Sequence, residues 1–406
     1  MPKTGTSSIQ KTLYDDANAA VLEKNGFRYL TEWGWNHVAI LRFIFSPNPP
    51  PLGNRNYGKP ISKRRHKKDV NFLSKKLLKV MNTTECKTLI LSGECSEVFL
   101  QDSAIENLKD YIRQYFQSND IDVKIILLIR NPLSWFISSL QQKQFGGRYL
   151  RSDDFFESRI KQYEGIIKLK NYFPDSIALL NFDEFCLDKD GLVGGVLKAI
   201  GFPEGELANI AFFRSNDSRS MEVMEFVNYI ESVQPLLPHS NFKFMNPNRT
   251  IIDLTCIKGI KGEKFDLPHQ SKIELWERMR ETVENLKKNT GIDFTDYKVP
   301  ISTAKETWNE QTVQEFINAF PKLSIVIQKL FLKFFEMKYA QTAQVKFKQL
   351  YFKGSIPWKT YNNKHVFLML LIYPIKNTLP KIVPQAIKLF LQRRGRKRGV
   401  WRRLKG

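Results

Sequence analysis

The stretch VKIILLIRNP, residues 123–132, decides the fold. Val123 to Ile129 is an apolar run, interrupted only by Lys124, that is too short for a helix; it reads as a strand buried on both faces. Arg130 stands at its carboxyl end, and Pro132 suits the first turn of a following helix. Working outward, Thr88–Leu91 and Ser176–Phe182 read as further strands, and Phe27–Leu30 as a short one. Helical patterns lie between them at Ser7–Lys24, Ala104–Gln117, Leu133–Gln144, Asp153–Tyr172 and Leu192–Ile200. Strands alternating with helices predict βαβ units, hence an α/β fold with a central parallel sheet flanked by helices. Beyond Met221 the pattern turns helical (Met221–Val233, Lys272–Asn289, Thr312–Lys338). The expected organisation is an α/β domain over 1–310 and a mainly helical, basic extension over 311–406. The Pro-rich, then basic segment Ser46–Asn71 reads as a loop.

Charge divides the chain in the same way. Of 63 Lys and Arg, 17 fall after Glu336, where no Asp or Glu occurs; the rest of the chain has 46 basic and 41 acidic residues, a balance of only +5. A net charge of +22 therefore describes a nearly neutral body with a basic tail. No nucleic-acid recognition module accompanies that charge. Apolar residues make up 42% of the chain, which excludes wholesale disorder. Cys86, Cys95, Cys186 and Cys256 have neither zinc nor disulfide-framework spacing and are expected to be reduced thiols. Neither a signal peptide nor a membrane span is legible, so the expected location is cytoplasmic. Tail aromatics interleaved with Lys and Arg predict peripheral binding to an anionic membrane face.

The strongest chemical signal is Pro2-Lys3-Thr4-Gly5-Thr6-Ser7-Ser8, set directly before an amphipathic helix. Glycine permits a tight turn that aims successive N–H groups at one anion, the helix start adds partial positive charge, and Lys3 adds a full one. A Walker A loop would carry its lysine after the last glycine; here Lys3 precedes it. Arg130 at a strand end, with Ser138 eight residues on, makes a second anion site. The order PKTGTSSIQ (2–10) followed by LIRNPLSWFISSL (128–140) resembles the two cofactor motifs of PAPS-dependent sulfotransferases, closest to the carbohydrate-type and bacterial members. The similarity covers roughly residues 1–235. It implies a P-loop-type sheet, PAPS as sulfuryl donor without metal, and a carbohydrate or glycolipid acceptor. It also implies that Lys3, Thr4, Gly5, Thr6, Ser7 and Ser8 hold the 5′-phosphosulfate, and Arg130 and Ser138 the 3′-phosphate. Leu91-Ser-Gly-Glu94 and Arg214–Ser218 resemble further motifs of the family.

Two residues remain candidates for the base that accepts the acceptor's proton, alongside Lys3 as stabiliser of the leaving phosphate. Glu94 follows a buried strand, and His37 has a neutral form accessible near pH 7. Gln141, Gln142, Lys143 and Arg148 are candidates for the acceptor cleft. Family phosphate loops follow a buried strand, whereas only Met1 and Pro2 precede Lys3; the expectation is that Met1 is an internal start with that strand upstream. The rival enzyme reading is a P-loop kinase. The rival of another kind is a membrane- or nucleic-acid-binding protein acting through its tail.

Overall fold

A computed structural model describes residues 3–46, 62–94, 98–146, 152–214, 218–234, 251–302 and 308–338. The predicted membrane role of the tail, and the places of Arg148, Cys95 and residues 215–217, lie outside these. The chain separates into two units, Met1–Phe334 and Phe335–Gly406. The first unit holds every strand among the described residues and also takes in the helical residues 310–334.

The fold is α/β. Strands β1 (Phe27–Tyr29) and β2 (Thr88–Ile90) pair in parallel, with Phe27 opposite Thr88 and Tyr29 opposite Ile90. Strands β3 (Ile125–Ile129) and β4 (Ile177–Asn181) also pair in parallel, from Ile125 opposite Ile177 to Ile129 opposite Asn181. The single central sheet expected from the sequence is thus two separate parallel pairs, and among the described residues no strand hydrogen-bonds to both. The consequence shows in the strands: Leu89, Ile90, Ile125, Ile126 and Leu127 are only half-buried, although their sequence is that of a fully covered strand.

Helices cover both faces. On one face α1 (Thr6–Tyr14), α2 (Asp16–Lys24) and α9 (Gly191–Ala199) bury Ile9, Leu13, Leu22, Val193 and Leu197 with Phe27, Tyr29 and Leu128. The other face holds α3 (Val38–Phe45), α5 (Asp102–Tyr115) and α7 (Ser152–Tyr172), packed on Ile125, Leu127 and Ile177. Alternate residues of β3 therefore enter opposite cores, as a period of two requires. A third cluster joins α6 (Pro132–Phe145) and α7 to α11 (His269–Thr290) around Trp135, Tyr163 and Met279. Helices α10 (Met221–Val233), α12 (Glu310–Ala319) and α13 (Ile325–Lys338) follow, with Phe226 set against Phe316 and Phe331 at ring-centroid distances of 5.8 and 5.2 Å.

Two local expectations are corrected. The helix read over Ser7–Lys24 breaks at Asp15, whose extended backbone (ψ 133°) lets its carboxylate accept from the N–H groups of Ala17 and Asn18 at 3.1 and 3.3 Å. The break resets the buried face, so Asn18 and Leu22 point inward while Ala17 and Ala20 are exposed. Within Ser46–Asn71, read as a loop, residues from Lys63 onward belong to helix α4 (Lys63–Thr83). Ser62 caps it, and Val70, Leu73, Ser74 and Leu77 form a core-facing row that the charge of its first turns disguised.

Candidate functional site

The strand ends build the site. Lys3 and Gly5 both adopt the left-handed region (φ 64° and 68°), so the short turn before α1 curls and its N–H groups converge. Gly5 is the N-cap of α1 and has no side chain to cap it, which leaves the helix start available to an anion. Glycine is also required sterically: a Cβ there would lie 2.0 Å from Leu192 Cδ2. Ser8 and Ile9 close onto the Gly5 carbonyl at 2.9 and 3.2 Å.

Three polar ties fix this loop to its neighbours. The Arg130 guanidinium, beyond the end of β3, donates from Nη1 to the Lys3 carbonyl at 3.1 Å. The Thr6 hydroxyl donates to Glu94 Oε1, beyond the end of β2. One turn further along α1, Gln10 Nε2 donates to the Ser92 hydroxyl at 3.2 Å. The two anion motifs, 127 residues apart, are thus one structure. Arg130 lies over the Phe182 ring, 5.0 Å from its centroid, and its own carbonyl accepts from the Tyr163 hydroxyl at 2.8 Å. Its Nε is buried without a hydrogen-bond partner. Asn131 caps α6 through the Ser134 N–H at 3.1 Å, and its own N–H donates to Asp183 at 2.9 Å.

These groups line a cleft of about 580 Å³, within the usual range of small-molecule sites. Lys3, Gly5, Thr6, Ser7, Ser8, Arg130, Ser138 and Glu94 all face it, as do Gln141 and Gln142 of the expected acceptor side. Lys143 is not among the residues lining the cleft, and Thr4 is fully buried beneath the loop. Arg214, Ser218 and Arg219 also line the cleft, with Phe182 and Leu192. Arg219, whose guanidinium stacks on Phe145 at 5.0 Å, was not singled out in the sequence, nor was Lys258. Both raise the positive potential at Lys3. Burial first, then Arg219, lowers the Lys3 pKa to about 8, with Lys258 and Arg130 adding to the shift and Glu94 opposing it. A cluster of cations around a buried lysine is electrostatically unfavourable until an anion joins it.

His37 takes a different place from the one the sequence offered. It is fully buried, stacked on Tyr29 at 4.9 Å, and does not line the cleft. Its Nδ1 accepts from the Ser92 N–H at 2.9 Å, and Nε2 faces the carbonyls of Leu30 and Gly34 at 2.8 and 3.1 Å. These partners fix a neutral tautomer with the proton on Nε2, because Nδ1 must accept. Both nitrogens being occupied, the ring ties β1's end to β2's end and leaves no nitrogen for a substrate. Burial lowers its pKa below 6.5 despite the two carbonyl contacts. The unfolded chain therefore binds the proton more readily, and His37's contribution to stability is complete above pH 6.5 and lost as pH falls through the lower folded value. Melting temperature should accordingly fall with acidification below 6.5, and His37→Asn, which keeps an acceptor but no titrating ring, should lose that acid limb. An identical acid limb in both proteins would assign it elsewhere.

No family model, curated protein or solved structure matches this chain.

Among the described residues no cluster of His, Cys, Asp or Glu is arranged to hold a metal ion, and no helix is long and apolar enough to cross a membrane. Cys86, Cys186 and Cys256 form no disulfide.

Proposed function

We propose that this chain is a PAPS-dependent sulfotransferase acting on a hydroxyl or amino group of a carbohydrate or glycolipid. The observation that carries this reading is the joining of the Lys3–Ser8 loop and Arg130 in one cleft, with Ser138 beside them and a carboxylate, Glu94, on the loop. A nucleotide phosphorylated at both ends needs anion-binding groups for each phosphate, and the Lys3–Ser8 loop and the Arg130–Ser138 pair, which line one cleft, are the candidates. The residues fit such a ligand on one count in particular: the buried Arg130 Nε has no protein partner. PAPS, when bound, supplies an activated sulfuryl group whose transfer leaves a phosphate anion.

The chain's own residues then have distinct work. The loop N–H groups, Thr6–Ser8 and Lys3 hold the 5′ end and stabilise charge on the leaving oxygen. Arg130 and Ser138 hold the 3′-phosphate, with Phe182 as an apolar wall. Glu94 takes the proton of the acceptor hydroxyl at Oε1 or Oε2; its contact with Thr6 orients it toward the loop. Gln141 and Gln142 reach the acceptor side. A P-loop kinase would carry its loop lysine after the last glycine, whereas here Lys3 precedes Gly5.

The test is calorimetry of 3′,5′-ADP against AMP and ATP, with and without magnesium. Tight binding of 3′,5′-ADP alone, independent of metal, is the expected result. Binding that needs magnesium and ignores the 3′-phosphate would refute the reading.

A further inference from the structure

Helix α4 has a second face that nothing in the cleft uses. Its inner row is fixed: His66 contacts the Phe43 carbonyl through Nε2 at 2.7 Å, Ser74 donates to the Tyr111 hydroxyl at 3.0 Å, and Leu77 is buried. Outward it carries Lys63, Arg64, Arg65, Lys67, Lys68, Lys75, Lys76 and Lys79, all exposed. The helix's one acid, Asp69, is 3.6 Å from Arg65. At 1.5 Å per residue, the row from Arg64 to Lys79 is about 22 Å long. Near its middle stands Phe72, 69% exposed, in a shallow groove with Arg64, Lys67, Lys68, Asn71 and Lys75. Position 72 follows the cationic row at helical spacing (68, 72, 75), so ring and charges face the same way. None of these residues lines the cleft.

We infer that the outer face of α4 docks on an anionic lipid bilayer, with Lys67, Lys68 and Lys75 over the headgroups and the Phe72 ring at the interface. The charge matches such a surface, which attracts Lys and Arg within a Debye length. The exposed ring selects the bilayer over other polyanions. A duplex nucleic acid, its bases already stacked, would pair with the cations and leave Phe72 in water, whereas the headgroup boundary accepts aromatic and apolar side chains. Six of the eight cations are lysine, a mobile point charge, rather than the arginine that grips one phosphate bidentately. The inference concerns a surface apart from the cleft and stands or falls independently of the sulfotransferase reading.

Residues 339–406 carry charge of their own, so sedimentation alone does not decide; the readout is placed at the ring. In the full chain, Phe72→Trp should show emission shifted to shorter wavelength, against the parent protein, with phosphatidylcholine vesicles containing phosphatidylserine and not with phosphatidylcholine alone. Brominated acyl chains should quench it. Adding Lys67→Glu, Lys68→Glu and Lys75→Glu should abolish both signals and weaken vesicle binding at least about ten-fold; unchanged circular dichroism and melting confirm that the helix stands, and the Gln equivalents repeat the test without charge reversal. Two results overturn the inference: vesicle binding with no emission change at position 72, or an emission change with heparin or RNA but none with anionic vesicles.

Discussion

Arg130→Ala is expected to remove detectable 3′,5′-ADP binding. A guanidinium–phosphate pair makes charge-assisted bonds worth about 1.5–3 kcal/mol each, so losing two weakens binding by about 10²–10⁴. The variant also removes the donor to the Lys3 carbonyl, loosening the loop at the other end of the ligand. The tie from Tyr163 ends on a backbone carbonyl and survives the substitution, so the strand end keeps that anchor. Arg130→Lys should lie between, since it keeps the charge and loses the fork. Calorimetry with the folded state checked by circular dichroism decides; an affinity within about two-fold of the parent would remove Arg130 from the nucleotide site.

Glu94→Gln should act on turnover instead. General-base catalysis contributes about 10²–10⁴, and an amide cannot take a proton. Gln retains an oxygen to accept from Thr6, so the loop geometry persists. Removing the carboxylate's charge beside Lys3 should leave 3′,5′-ADP affinity unchanged or slightly tighter, because Glu94 no longer offsets the local positive potential. The measurement pairs the binding constant with the rate of PAPS consumption on an acceptor that the parent protein modifies, drawn from a carbohydrate panel. A parent-like rate would pass the base role to another residue, and the buried, doubly bonded His37 ring is poorly placed to take it.

Some of this was legible and some was not, for identifiable reasons. The apolar runs at 123–129 and 176–182 announce β3 and β4 because a strand covered on both faces leaves no room for polar alternation. Asn131-Pro132 announces the start of α6 by its capping chemistry. The turn at Lys3–Ser8 is legible because the glycine and the helix start that shape it are contiguous. Arg219 and Lys258 were missed because they reach Lys3 only through the return of the chain at α10 and residues 251–260, which no local pattern encodes. His37 misled for a related reason: a histidine's type shows that it can titrate, while its Ser92, Leu30 and Gly34 partners show that its nitrogens are occupied. Asp15 was absorbed into a helix because its identity fits an interior position as well as a cap; only the extended backbone separates the two. The split of the expected sheet is a property of strand adjacency, and adjacency is invisible to periodicity.

That split has a mechanical meaning. The two strand pairs share no ladder among the described residues, so packing of side chains and a few polar ties hold one against the other. The Lys3–Ser8 loop is such a tie, joined to β2's side through Thr6 and Glu94 and to β3's side through Lys3 and Arg130. The proposed nucleotide, gripped at both places, would cross-link the two strand pairs. Its binding energy becomes fold energy: at a hundred-fold excess over Kd, a ligand specific to the native state adds about 2.7 kcal/mol. On the proposed reading that increment would act at the seam, and the nucleotide would be a keystone as well as a reactant.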